Sequence, residues 1–205
     1  MVNHDLKLVF IHIPKCAGTS INRMFDMKPY GFSGHAPIKY HEDLLDKGYR
    51  AFTIVRNPYD RAVSLYHYFS QMKEGDRWYG KNIDIAKACR DIGFDDFVGE
   101  MRDFQTHEYS GIHFYPQSYF ACHSYSSSPK DTRKVYKCKI VTFEGLDNSL
   151  KDVCDTFNIN LPKVKKLNST RHLDYKGYYN SKQTIRMIKR LYGSDFMQFN
   201  YSFNL

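Results

Sequence analysis

Two short stretches hold the residues best suited to binding an anion. The first is Pro14 to Ser20, PKCAGTS. Gly18 allows a ligand to approach the backbone closely. Thr19 and Ser20 stand where a helix would begin, and helix-start amides with the positive end of the dipole attract anions. Lys15 adds a full positive charge. The stretch is not a Walker A loop, which needs Lys directly before Ser or Thr; here Ala17 and Gly18 precede Thr19. It is not a Cys-phosphatase loop either. Counting from Cys16, the required Arg would fall at position 22, where Asn22 stands, with Arg23 one place late. An ordinary strand-to-helix turn with a surface lysine is the plainer alternative.

The second stretch begins at Arg56, RNPYDRAVSLYHYF. A strand that held Mg²⁺ would end in Asp; this one ends in Arg, whose planar fork of donors recognises an oxyanion directly. Ser64 lies eight residues on, about two helical turns. Arg56 could instead pair with Asp60, and Ser64 could back-bond to a helix carbonyl. Taken together the two stretches say more than either alone. Neither strand end offers a metal ligand, and the pair fits a nucleotide with two separated phosphate groups bound without Mg²⁺.

The elements that must position these residues follow from the apolar runs. Leu6 to Ile13, Ala51 to Val55 and Lys139 to Phe143 read as buried strands, each short and rich in β-branched or aromatic residues. A helical segment follows each: Thr19 to Phe25, Pro58 to Phe69 with Pro58 near its start, and Gly145 to Phe157. Ser181 to Tyr192 reads as a further helix, with Ile185, Ile188 and Leu191 on one face. Alternating strands and helices predict an α/β fold with a central parallel sheet flanked by helices. Ligands of such sheets bind beyond the carboxyl ends of the strands, which is where both stretches lie.

Composition sets outer limits. A chain of 205 residues can bury a full core as one domain, residues 1–205. Its 17 Tyr and 15 Phe argue against disorder. A net charge of +8, from 30 Lys and Arg against 22 Asp and Glu, favours anionic partners without choosing among them. The five Cys contain no CxxC pair, so zinc or dithiol redox chemistry is not indicated. Most read as reduced and buried, with a Cys122–Cys154 bridge as an alternative. No apolar stretch is long enough for a signal h-region or a spanning helix. The chain as it stands therefore reads as cytoplasmic, and work in a secretory compartment would need an anchor outside it.

At this point the residues resemble a known family. HIPKCAGTS resembles the 5′-phosphosulfate loop of sulfotransferases that use 3′-phosphoadenosine 5′-phosphosulfate (PAPS), and IVRNPYDRAVSLYHYF resembles their 3′-phosphate strand, loop and helix. HFYPQSYF (His113 to Phe120), VTFEGLDNSLKDVC (Val141 to Cys154) and the C-terminal YYNSKQTIRMIKRLYGSDFMQFNYS resemble the membrane-associated, Golgi-type carbohydrate branch that acts on heparan- or chondroitin-like chains. Residues 70–110 match nothing nameable. The resemblance implies a P-loop-type three-layer fold, PAPS as donor, adenosine 3′,5′-bisphosphate (PAP) as product and no metal. By position, Lys15 would bind the bridging oxygen and sulfuryl group. Cys16, Ala17, Gly18, Thr19 and Ser20 would hold the 5′-phosphate, and Arg56 and Ser64 the 3′-phosphate. Arg171 would reach that phosphate from a C-terminal loop, with Lys176 as an alternative. Many relatives have Thr or Gly in place of Cys16, which backbone binding tolerates.

In-line sulfuryl transfer to a hydroxyl needs a general base, most often His. His35, in GHAPIKYH between the two phosphate stretches, is the first candidate. His41 is second and His113 third. The expected acceptor is a hydroxyl on an oligosaccharide or glycan. Lys163, Lys165 and Lys166 could hold an acidic one, though a charge run is usually a solvated face. Rival readings are a kinase or NTPase with a degenerate loop, for which Glu144 is the one candidate carboxylate, and a non-catalytic binder of phosphorylated or sulfated ligands. A nucleic-acid binder ranks last, because no basic-aromatic module signature is present. Gln71 to Thr106 is expected to shape the acceptor cleft.

Overall fold

The structure is a computed structural model that describes residues 1–31, 34–121, 137–162 and 174–205. In chain order its main elements are β1 (Val2–Asn3), β2 (Leu8–Ile11), α1 (Gly18–Met24), α2 (Glu42–Asp46), β3 (Arg50–Val55), α3 (Pro58–Ser70), α4 (Tyr79–Asp91), α5 (Phe94–Phe104), α6 (Ser118–Ala121), β4 (Cys138–Thr142), α7 (Leu146–Phe157), α8 (Lys182–Leu191) and α9 (Gly193–Gln198). They fall into two compact units, one built from residues 1–56 and 117–169, the other from 57–116 and 170–205.

The first unit carries the sheet. Its strand order is β1-β2-β3-β4. β2, β3 and β4 run parallel, with Ile11 opposite Thr53 and Val55 opposite Thr142. All of β2 is buried, as is β3 beyond Arg50. Runs of Leu, Val, Phe and Ile with no polar alternation suit strands covered on both faces. The expected first strand, Leu6 to Ile13, is shortened at both ends to Leu8–Ile11: Lys7 turns the chain before it with φ +49°, and the ladder with β3 stops at Ile11 opposite Thr53. The sheet is mostly rather than wholly parallel. Two residues at the N-terminus form β1, antiparallel to β2, a pairing too short to leave a periodic signal in the sequence. α7 packs on β4 through Leu150, Val153 and Cys154. It ends where Asn158 takes the left-handed conformation and its N–H reaches back to Cys154 and Asp155 carbonyls.

The second unit is helical and its core is largely aromatic. Tyr59, Phe69, Phe97, Phe114, Tyr192 and Phe196 are buried together. α3 starts as its sequence dictates: Asn57 accepts a hydrogen bond from the Tyr59 N–H at 2.9 Å, and Pro58 fills the first helical position. Arg61 is fully buried on α3. Its guanidinium donates to the carbonyls of His113 at 2.8 Å and Tyr115 at 3.0 Å and lies over the Tyr192 ring. This anchors the His113–Tyr115 segment. α4 and α5 occupy the region that matched nothing in sequence. Among the described residues, no helix is long and apolar enough to cross a membrane. Cys89 and Cys154 are buried thiols, Cys89 pushed up to about 12 by burial. Cys122 lies outside the described residues.

Candidate active site

β2 ends at Ile11, and the chain runs through His12, Ile13 and Pro14 into the loop that opens α1. Lys15 and Ala17 both take left-handed backbone angles, φ +68° and +60°. Each costs of order 1–3 kcal/mol in a residue with a side chain. Alternating backbone of this kind turns successive N–H groups into one concavity, a common anion cradle. The cost is met by packing: Cys16, between the two strained residues, is fully buried, and α1 closes behind it with the Ile21 N–H on the Ala17 carbonyl at 3.1 Å.

Gly18 is required here by contact rather than by its own backbone angle. A methyl group built on it overlaps the imidazole of His12. His12 in turn stacks on Phe10 at 5.6 Å and lies 4.2 Å, ring to ring, from His35. Gly18→Ala is therefore expected to destabilise the protein by about 1–3 kcal/mol, the usual cost of overpacking. That corresponds to a fall in melting temperature of roughly 2–12 °C for a chain of this size. His12→Ala should restore part of the loss in the double variant. A single Gly18→Ala variant that melts with the wild type would remove the proposed contact.

Arg56 follows the last residue of β3 and is 5% exposed. Its Nη1 donates to the Lys15 carbonyl at 3.2 Å, and its guanidinium lies 4.3 Å from the Phe143 ring centre. The ends of two neighbouring parallel strands are thus joined. Lys15 feels the proximity. Burial first, and then the Arg56 charge, pulls its ammonium down to about 8. Two partly desolvated cations held together repel each other and favour an anion that neutralises both.

Gln117, which no sequence motif singles out, lies in the same place and is fully buried. Its Oε1 accepts from the Arg56 N–H and its Nε2 donates to the Arg56 carbonyl, both at 2.8 Å. The Cys16 thiol is 3.3 Å from the same Oε1. A glutamine has no local pattern that announces such a contact; the PQS sequence after an aromatic run was the one hint available.

The three candidate histidines part company. His35 places Nδ1 2.9 Å from the His12 carbonyl, beside the loop. A carbonyl only accepts, so Nδ1 carries the proton and Nε2 holds the lone pair in the neutral ring. His41 is 0% exposed, bonded through Nδ1 to the Pro37 carbonyl, and pushed down to about 4, chiefly by burial. His113 belongs to the second unit, where it stacks on Tyr68. Of the remaining candidates, Thr19 is exposed and Ser20 half-buried at the start of α1. Ser64 is buried on α3 of the second unit, and Lys176 is exposed there. Arg171, with Lys163, Lys165 and Lys166, lies outside the described residues. Glu144 is exposed after β4. Among the described residues no group of three or more His, Cys, Asp or Glu is placed to hold a metal ion.

A mostly parallel α/β sheet carries Lys15 and Arg56 side by side at its strand ends, where ligands of such sheets bind. The sequence matches the model of the Sulfotransferase family over residues 1–202, and the chain belongs to that family. Neither the curated proteins nor the solved structures contain a match. Membership supports a transferase that moves a sulfuryl group, with a sulfate donor and an acceptor.

Proposed function

We propose that this chain is a single-domain, P-loop-type sulfotransferase that uses PAPS as donor and sulfates a hydroxyl on a carbohydrate. The observation that carries the donor assignment is the meeting of Lys15 and Arg56 over the Lys15–Gly18 loop. PAPS supplies an activated sulfuryl group beside one phosphate and a second phosphate on the ribose. Loop amides and Lys15 suit the first phosphate, and the Arg56 fork suits the second. Lys15 is placed to neutralise charge on the leaving phosphate. His35, with Nδ1 donating to the His12 carbonyl, is in the tautomer that accepts a proton at Nε2. The carbohydrate acceptor rests on the resemblance of His113 to Phe120 and Val141 to Cys154 to the glycan-acting branch.

Calorimetric titration with PAP in the absence of metal tests the donor assignment. Adenosine 5′-phosphate and Mg²⁺-ATP serve as comparators. Tight binding should require the 3′-phosphate and weaken by about 10–150-fold in Arg56→Ala, the value of a charge-assisted hydrogen bond. A preference for Mg²⁺-ATP would instead make the chain a kinase-like protein.

A further inference from the structure

The two cations of the donor loop repel each other, so the fold must restrain them before any anion arrives. The restraint passes through Gln117. The β3–β4 ladder pairs its last residues at Val55 and Thr142, and β2 stops earlier, opposite Thr53. Arg56 therefore stands past the end of both ladders. The Gln117 carboxamide gives its backbone the two antiparallel bonds that a neighbouring strand would supply, each at 2.8 Å. The same oxygen faces the Cys16 thiol at 3.3 Å, next to Lys15. Arg56 Nη1 donates to the Lys15 carbonyl at 3.2 Å. The bonds close a circuit from Cys16 through Gln117 and Arg56 to Lys15. Burying a carboxamide completely is costly unless its bonds are made, and here they are made to the residues on either side of the anion site.

We propose that Gln117 is a positioning residue of the donor site: it sets the direction of the Arg56 guanidinium and couples it to the Lys15–Cys16 loop. This rests on the reading of Arg56 as a donor contact. A shared hydrogen-bond network couples energetically, and a double-mutant cycle measures the coupling.

The test compares PAP affinity by calorimetry in wild type, Gln117→Met, Arg56→Ala and the double variant. Methionine keeps the length of the side chain and removes its bonds. Gln117→Met should weaken PAP binding about tenfold in the wild-type background, the equivalent of one to two hydrogen bonds. In the Arg56→Ala background the same change should cost less than about twofold. A purely structural glutamine would weaken binding by the same factor in both backgrounds, and that result would overturn the proposal. Should Gln117→Met fail to fold, Cys16→Ala removes the thiol's contact with Gln117, together with its longer one to the Pro14 carbonyl at 3.7 Å, and leaves the carboxamide in place. It should cost about two- to threefold, the share of a weak S–H donor, and that cost should likewise vanish without Arg56. Equal cost in both backgrounds overturns the proposal here too. If wild type binds PAP with no dependence on Arg56, the donor reading itself fails, and the role of Gln117 fails with it.

Discussion

His35→Ala should lower the rate of sulfuryl transfer by about 10²–10⁴, the usual worth of a general base, while PAP affinity stays within about twofold. Three features place the effect at this histidine. His35 sits ring to ring with His12, which itself rests against Gly18 of the Lys15–Gly18 loop. The His12 carbonyl holds its Nδ1 proton and so presents the basic nitrogen at the opposite edge of the ring. The competing His41 is sealed from solvent and pushed down to about 4 by burial, so His41→Ala should lower the melting temperature more than the rate. Steady-state rates with PAPS and a glycan acceptor, alongside PAP calorimetry, separate these outcomes. A His35→Ala enzyme within threefold of wild type would move the base to another residue.

Lys15→Ala should cost about 10²–10³ in rate, comparable to removing one preorganised donor from a developing negative charge. A second signature accompanies it. In the free protein burial, and then the Arg56 charge, penalise the Lys15 ammonium and pull it down to about 8. A bound phosphate favours the ammonium and raises that value. Binding above pH 8 must therefore take up a proton, and donor affinity must fall as pH rises through about 8. Near pH 6.5 Lys15 is protonated before and after, and uptake from this group disappears. Calorimetry of PAP binding at pH 8.5, in buffers of different ionisation enthalpy, reads the uptake directly. Lys15→Ala should abolish it. Equal uptake in wild type and variant would show that Lys15 does not touch the ligand's charge.

In the first unit β2, β3 and β4, with the helices α1 and α7, were legible because their signals are local, whereas the short α2 and α6 were not read. LVFI and AFTIV are short runs rich in apolar residues, the first followed by His12 and then Pro14, the second by Arg56. The Asn57–Pro58 start of α3 is likewise a local signature with a direct physical cause. β1 was missed because two residues carry no periodicity. α4 and α5 were missed because their motifs resembled nothing, although Phe94, Phe97, Val98 and Met101 form a helical stripe that packing bears out.

Residue type and order by themselves determined that a lysine-bearing loop and an arginine end two successive strands. Tertiary structure alone decided which side chains meet there. It set the Arg56 guanidinium on the Lys15 carbonyl and over Phe143. It brought Gln117 across 61 residues to the Arg56 backbone, and laid the His12 ring against Gly18 and His35. It also put His41 out of reach by burying it. The reason is range. Propensity, capping and charge act within a few neighbours along the chain. Burial, the direction of a guanidinium and the repulsion between two cations depend on distances in space that exist only once the sheet has brought its strand ends side by side.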